Sequence, residues 1–246
     1  VYLIWLVWLD LMKNKFLKYL LVVVLLFSNS FKVLGEEFEI KATKITLSDE
    51  GNILKAEDNI LINTNDGLEI IADKAVYNKK KKIITTEDNI VIKTKDEIQI
   101  VADKAIYDKK KLELNLKGRV IFHDAKNNTV FKSNSIVYKK KEQLISSNEK
   151  TETILEGIYF IQSENLYFNR KLQKISSNKK IEIKDKLGNK IVSENIKFSL
   201  IEKFGRGKNI VFSDNQKNIY NIEDGVFDLK NSKILGKDIE IRSEER

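Results

Sequence analysis

The chain has 246 residues, with 44 Lys and Arg against 36 Asp and Glu for a formal charge of +8, one histidine, and neither proline nor cysteine. The missing cysteines exclude disulfides, thiolate metal sites and thiol nucleophiles. Average usage would supply about a dozen prolines, and their absence suits a chain that is mostly strand, because proline lacks the N–H that a sheet ladder needs.

In chain order, the first feature is an apolar N-terminus. Met12 is the only methionine. After it come the basic residues Lys13, Lys15 and Lys18, an apolar run of nine residues from Tyr19 to Phe27, and small residues that offer cleavage after Ser30 or Gly35. This is the pattern of a secretory signal, and nine apolar residues fall short of the roughly 20 that span a bilayer. A competing reading, a membrane anchor that begins upstream, is opposed by Asp10 and the three lysines. The expected organisation is therefore an upstream extension plus signal peptide over 1–35 and one repeat domain over 36–246. The mature part is exported and mildly basic, with 40 basic and 35 acidic residues once four lysines and Asp10 are removed.

From there a motif near thirty residues long recurs seven times. Its clearest copies are Leu68-Glu69-Ile70-Ile71-Ala72-Asp73-Lys74-Ala75-Val76-Tyr77 and Ile98-Gln99-Ile100-Val101-Ala102-Asp103-Lys104-Ala105-Ile106-Tyr107. The closing large residues are Leu47, Tyr77, Tyr107, Tyr138, Phe168, Phe198 and Phe227, spaced by 30, 30, 31, 30, 30 and 29. A second submotif keeps step: Asp58-Asn59-Ile60-Leu61-Ile62, Asp88-Asn89-Ile90-Val91-Ile92 and Gly118-Arg119-Val120-Ile121-Phe122. A fixed period of this length means one supersecondary unit stacked on copies of itself.

Each unit reads as two short strands joined by polar turns. Side chains alternate along a strand, so one face carries Ile60 and Ile62, Ile90 and Ile92, Val120 and Phe122, Ile181 and Ile183, Ile210 and Phe212, Ile239 and Ile241. β-Branched and aromatic residues dominate these runs, and the fold class is all-β with about fourteen strands. Turns are expected at Asp49–Asn52, Asn65–Gly67, Asp124–Asn128, Leu187–Asn189 and Glu223–Gly225. Thr151 stands where the period wants an apolar residue, and a bulge or loosened strand is expected there. Stacked, the units make a roll of two facing sheets with the apolar stripes inside. Periodicity leaves open whether that interior is a packed core or an apolar trough.

The alternation of a D-N-I-x-I strand with an I-x-A-D-x-A-x-Y strand, from about Phe38 to Ile241, resembles the OstA-like domain of the lipopolysaccharide-transport proteins LptA and LptD. The resemblance implies an elongated β-jellyroll, open along one side, whose interior shields acyl chains of lipopolysaccharide in the periplasm. The twelve stripe residues would be its lipid-contacting interior. It also implies partners: lipopolysaccharide, and other jellyrolls joined end to end by strand addition. The ending Gly225-Val226-Phe227-Asp228-Leu229 and Ile234-Leu235-Gly236-Lys237-Asp238 looks more like the N-terminal part of LptD. An LptD fragment would add an outer-membrane barrel and its lipoprotein partner, and a free-standing bridge protein is the other form. No cofactor, no nucleic-acid partner and no catalysis are expected. Exposing one twelve-carbon chain to water costs roughly 9 kcal/mol, at about 0.8 per methylene, so a continuous trough lets a lipid slide without desorbing. A carboxylate at Ile92 or Phe122 is then expected to exclude lipid yet spare the fold, because an open wall admits water.

Two other classes compete. A structural or adhesive surface β-solenoid predicts a closed interior, and a carbohydrate-active β-helix needs acids or aromatics clustered outside the repeat phase, which are absent. The lysine runs Lys79–Lys82, Lys109–Lys111 and Lys139–Lys141, then Arg170-Lys171, recur in phase. They read as solvated turns rather than as a lipid-phosphate ridge. His123 beside Asp124 reads as a turn without catalytic companions, and Asp73 and Asp103 as structural repeat positions. Phe122, Phe131, Phe160, Phe198 and Phe212 are core or acyl-chain contacts alike.

Overall fold

A computed structural model describes residues 38–228, 230, 231 and 233–242; the segment read as a signal lies outside them. Every element among the described residues is a β-strand. In order they are β1 (Phe38–Lys41), β2 (Lys44–Ser48), β3 (Ile53–Thr64), β4 (Leu68–Asn78), β5 (Ile83–Thr94), β6 (Ile98–Asp108), β7 (Glu113–Asp124), β8 (Thr129–Lys139) and β9 (Leu144–Ser147). There follow β10 (Thr151–Leu155), β11 (Tyr159–Ser163), β12 (Leu166–Asn169), β13 (Lys174–Ser177), β14 (Ile181–Lys184), β15 (Lys190–Ser199), β16 (Phe204–Ser213), β17 (Ile219–Asp228) and β18 (Lys233–Arg242). All pair antiparallel within one eighteen-stranded sheet. Ten strands run unbroken. The other eight are halves of four broken ones (β1/β2, β9/β10, β11/β12 and β13/β14), which gives fourteen passes, two per repeat.

Each pass bends at a corner, so the sheet folds into two walls. Wall A holds the halves near the closing aromatic, such as 53–57 of β3 and 74–78 of β4. Wall B holds the others, such as 61–64 and 69–72. The corner is written in the D-N pair. Asp58 and Asn59 have φ of 59° and 51°, Asp88 and Asn89 of 64° and 48°, the left-handed region that Asp and Asn tolerate best among non-glycine residues. Two residues there oppose one on the neighbouring strand, a β-bulge that turns the chain. The third copy uses Gly118 (φ 69°) and Arg119. The D-N pair is therefore the bend of the strand and not its straight beginning. Asp73 and Asp103 bracket the same corner: Asn89 Nδ2 donates to Asp73 Oδ2 at 2.6 Å, and Arg119 holds both oxygens of Asp103.

In the three passes β9/β10, β11/β12 and β13/β14 the bend becomes a break, and β15 to β18 run through it again. At 148–150 and 178–180 the strand stops and restarts, and Thr151 is buried, donating to the Glu149 carbonyl at 2.9 Å with Ser133 Oγ 3.3 Å away. Ser133 and Ser147, then Ser163 and Ser177, pair their hydroxyls at 3.0 Å. The off-pattern polar residue is thus a satisfied part of the corner, and the irregularity falls just before it. Glu223–Gly225 is not a turn but the middle of β17. Gly207, Gly225 and Gly236 stand in register across three strands, and a Cβ on Gly236 would come within 2.2 Å of Ile222 Cγ2. Glycine here marks a close approach of backbone.

Candidate functional site: the space between the walls

Most of the predicted stripe points inward. Ile60, Ile62, Ile90, Ile92, Val120, Phe122, Ile181 and Ile210 are buried, whereas Ile183 and Phe212 are half-buried. Ile239 and Ile241 share the face of Ile222 and Tyr220, yet stand 47% and 63% exposed, because among the described residues β18 pairs only with β17 and nothing covers its inner side. Wall A completes the lining with Tyr107, Leu114, Leu116, Tyr138, Ile145, Phe168 and Ile175.

The middle of the roll is a packed core. Phe122 meets Phe131 and Tyr138 edge-on at centroid distances of 6.0 and 5.3 Å, and Phe131 meets Phe168 at 5.6 Å. Such aromatic contacts fill the cross-section and favour offset or T-shaped geometry. The alternatives that periodicity left open therefore resolve by position: core through the middle, opening toward the C-terminal end. There a cavity of about 50 Å³ lies between Ile161, Ile183 and Ile191 of wall B and Ile196, Phe198 and Phe227 of wall A, all apolar. Phe160, grouped with the interior aromatics on sequence grounds, faces outward and is exposed. Both Ile92 and Phe122 lie in the closed part, so no open wall stands beside them.

The side opposite the corner is where the turns of the two walls meet. Backbone pairing does not join them among the described residues; side chains do. Lys109 Nζ donates to Asn65 Oδ1 at 2.8 Å. Lys140 Nζ and the Tyr107 hydroxyl both donate to Asp66 Oδ2, at 2.6 and 2.8 Å. Arg170 reaches Asp124 (2.5 Å) and Asp96 (2.6 Å) from wall A and also donates to the Gln143 side chain. Gln173 Nε2 donates to Asn127 Oδ1 at 2.7 Å, and Lys203 pairs with Glu156 at 3.2 Å. The in-phase basic runs are thus more than solvated turns: one residue of several runs is a clasp across the mouth. A side open by backbone is shut by side chains as far as Lys203, and the apolar opening lies beyond.

Electrostatics is sharpest at Arg170, whose side chain is 3% exposed, against Asp124 at 0%. Burial disfavours the guanidinium charge, but its hydrogen bonds to Asp124 and Asp96 outweigh that and raise its pKa. Burial likewise works to raise Asp66 and Asp96, and hydrogen bonds, from Lys140 above all at Asp66 and from Thr94 and Arg170 at Asp96, overcome it and hold both below the usual carboxylate range. The Tyr138 phenol beneath the clasp is pushed up to about 12, chiefly by burial. No signal in one sequence marked Arg170 or Asp124 as partners, since 46 residues separate them. His123 sits in β7, exposed on the outer face, while its neighbour Asp124 points in to Arg170, so the two do not form a dyad.

No family model and no curated protein matches the chain. Among solved structures, it is similar to LptH of Pseudomonas aeruginosa, described as the LptA-homologous periplasmic component of the conserved lipopolysaccharide transport device. The likeness has 12% identity and a TM-score of 0.41, and covers 45% of this chain and 81% of that one.

Proposed function

We infer that the chain is a lipopolysaccharide-transport module of the periplasm, exported by a signal peptide within 1–35, whose interior takes up acyl chains between its walls. The observation that carries this is the apolar opening at the C-terminal end. Ile183, Ile191 and Phe198 are left half-buried there, and the inward stripe continues onto β18 as exposed Ile239 and Ile241. An apolar concavity facing water marks a place that something apolar covers, and the repeat motifs point to the same class of ligand. The stripe residues Ile60 to Ile241 are its proposed contacts, the outer ones first. A charge within the opening tests this: Ile191→Glu should weaken lipopolysaccharide binding at least tenfold while leaving the β circular dichroism intact, since water reaches that site. Unchanged affinity would remove the opening from the binding path.

End-to-end partners follow from the edges. Among the described residues β18 pairs only with β17, and β1 and β2 only with β3, and free edges accept added strands. Whether free-standing or the N-terminal part of an LptD, the chain should add a neighbouring jellyroll at β18, seen as concentration-dependent growth in light scattering that Ile239→Lys with Ile241→Lys suppresses. A strict monomer at high concentration, with no binding to other jellyrolls, speaks against it. The packed aromatic middle favours one second reading, a structural roll that binds no lipid.

A further inference from the structure

Backbone joins the two walls along the corner, and side chains alone join them along the mouth among the described residues. A roll built this way has a hinge on one side and a row of clasps on the other. Beneath the clasps the interior is closed, with Phe122, Tyr138 and Phe168 fully buried, so an acyl chain passing this section requires the walls to part. Parting them at the mouth breaks the clasps before anything else.

The clasps differ in burial along the row, tightest in the middle. Lys203 and Glu156, next to the apolar opening, are each about a third exposed and make one contact with each other at 3.2 Å. Lys140 and Asp66 are under a fifth exposed. Arg170 between them is nearly sealed and holds Asp124, Asp96, Tyr138 and Gln143 at once. Exposed pairs exchange readily with water, whereas separating a buried pair strands charges in a poor solvent.

We propose that the mouth is a lateral gate: the Lys203–Glu156 clasp opens first and admits an acyl chain from the C-terminal opening, and the Arg170–Asp124–Asp96 clasp is the stop that the chain must displace to travel further. This rests on the lipid reading above and adds the regulation of that site.

The absence of cysteine makes the test clean. Lys203→Cys with Glu156→Cys, in the full chain, can be bridged by a short bis-methanethiosulfonate that a reductant removes. Photoreactive phenylalanine analogues at Phe198, in the opening, and at Phe168, under the clasps, then report where lipopolysaccharide reaches. With the bridge cleaved both probes should crosslink. With it in place Phe198 should still crosslink while Phe168 falls at least tenfold. Equal Phe168 crosslinking in the bridged and cleaved forms overturns the gate and leaves the lipid reading standing. Crosslinking at neither probe in the cleaved form overturns the lipid reading and the gate together. As a second variant that needs no cysteine, Lys203→Ser should speed Phe168 crosslinking severalfold, and an unchanged rate counts against the gate.

Discussion

Arg170→Ala is expected to be among the most damaging single changes outside the apolar core. It removes the cation from a carboxylate, Asp124, that is 0% exposed. Breaking a buried pair on one side costs on the order of 3–5 kcal/mol because the remaining charge is left unpaired, and for a domain of this size each kcal/mol lowers the melting temperature by about 2–4 °C. The double variant Arg170→Met with Asp124→Leu should lose distinctly less, since no charge is stranded. Acid offers a second readout. Asp96 has its pKa lowered on folding, with burial outweighed by Thr94 and Arg170. Its contribution to stability is therefore complete above the unfolded carboxylate value near 4 and is lost as pH falls through the lower folded value. The parent's melting temperature should drop below about pH 4, and part of that drop should vanish in Arg170→Ala. A single variant as stable as the parent, or a double variant no better than the single one, would contradict this role.

Phe122→Glu is expected to unfold the middle of the roll. Sequence periodicity alone allowed a water-filled wall beside Phe122, which would have made the variant well folded. The structure instead packs this ring against Phe131 and Tyr138 with no exposed surface. Truncating a buried Phe costs about 3–5 kcal/mol, and an unpaired buried carboxylate adds to that. Ile92→Glu, also fully buried, should behave alike. Circular dichroism melts decide it: a cooperative, parent-like transition for Phe122→Glu would mean that the walls part readily even at the centre.

The inward stripe was legible because strand alternation is local: Ile60, Ile90 and Val120 are buried as their spacing requires. The corner was half legible. Asp58-Asn59 and Asp88-Asn89 were visible as a motif, and their left-handed φ values show that the motif encodes a bend. What a single sequence withheld was long-range. Arg170 meets Asp124 and Asp96 across 46 and 74 residues, and nothing in the local run separates a clasp from a solvated lysine turn. Phe160 differs: strand alternation alone places it outward, in line with Val130 across β10, while Ile161 takes the inward place that Phe131 holds one repeat earlier.

The measurement that tests the lipid path most directly is photocrosslinking of lipopolysaccharide to single phenylalanine analogues on either side of the sheet. Phe198 lines the apolar opening between the walls, and Phe160 stands on the outer face of β11. A lipid path between the walls gives a crosslink from position 198 that excess unlabelled lipopolysaccharide competes away, and none above background from position 160. Equal labelling at both positions, or none at 198 in a protein that melts like its parent, would contradict it.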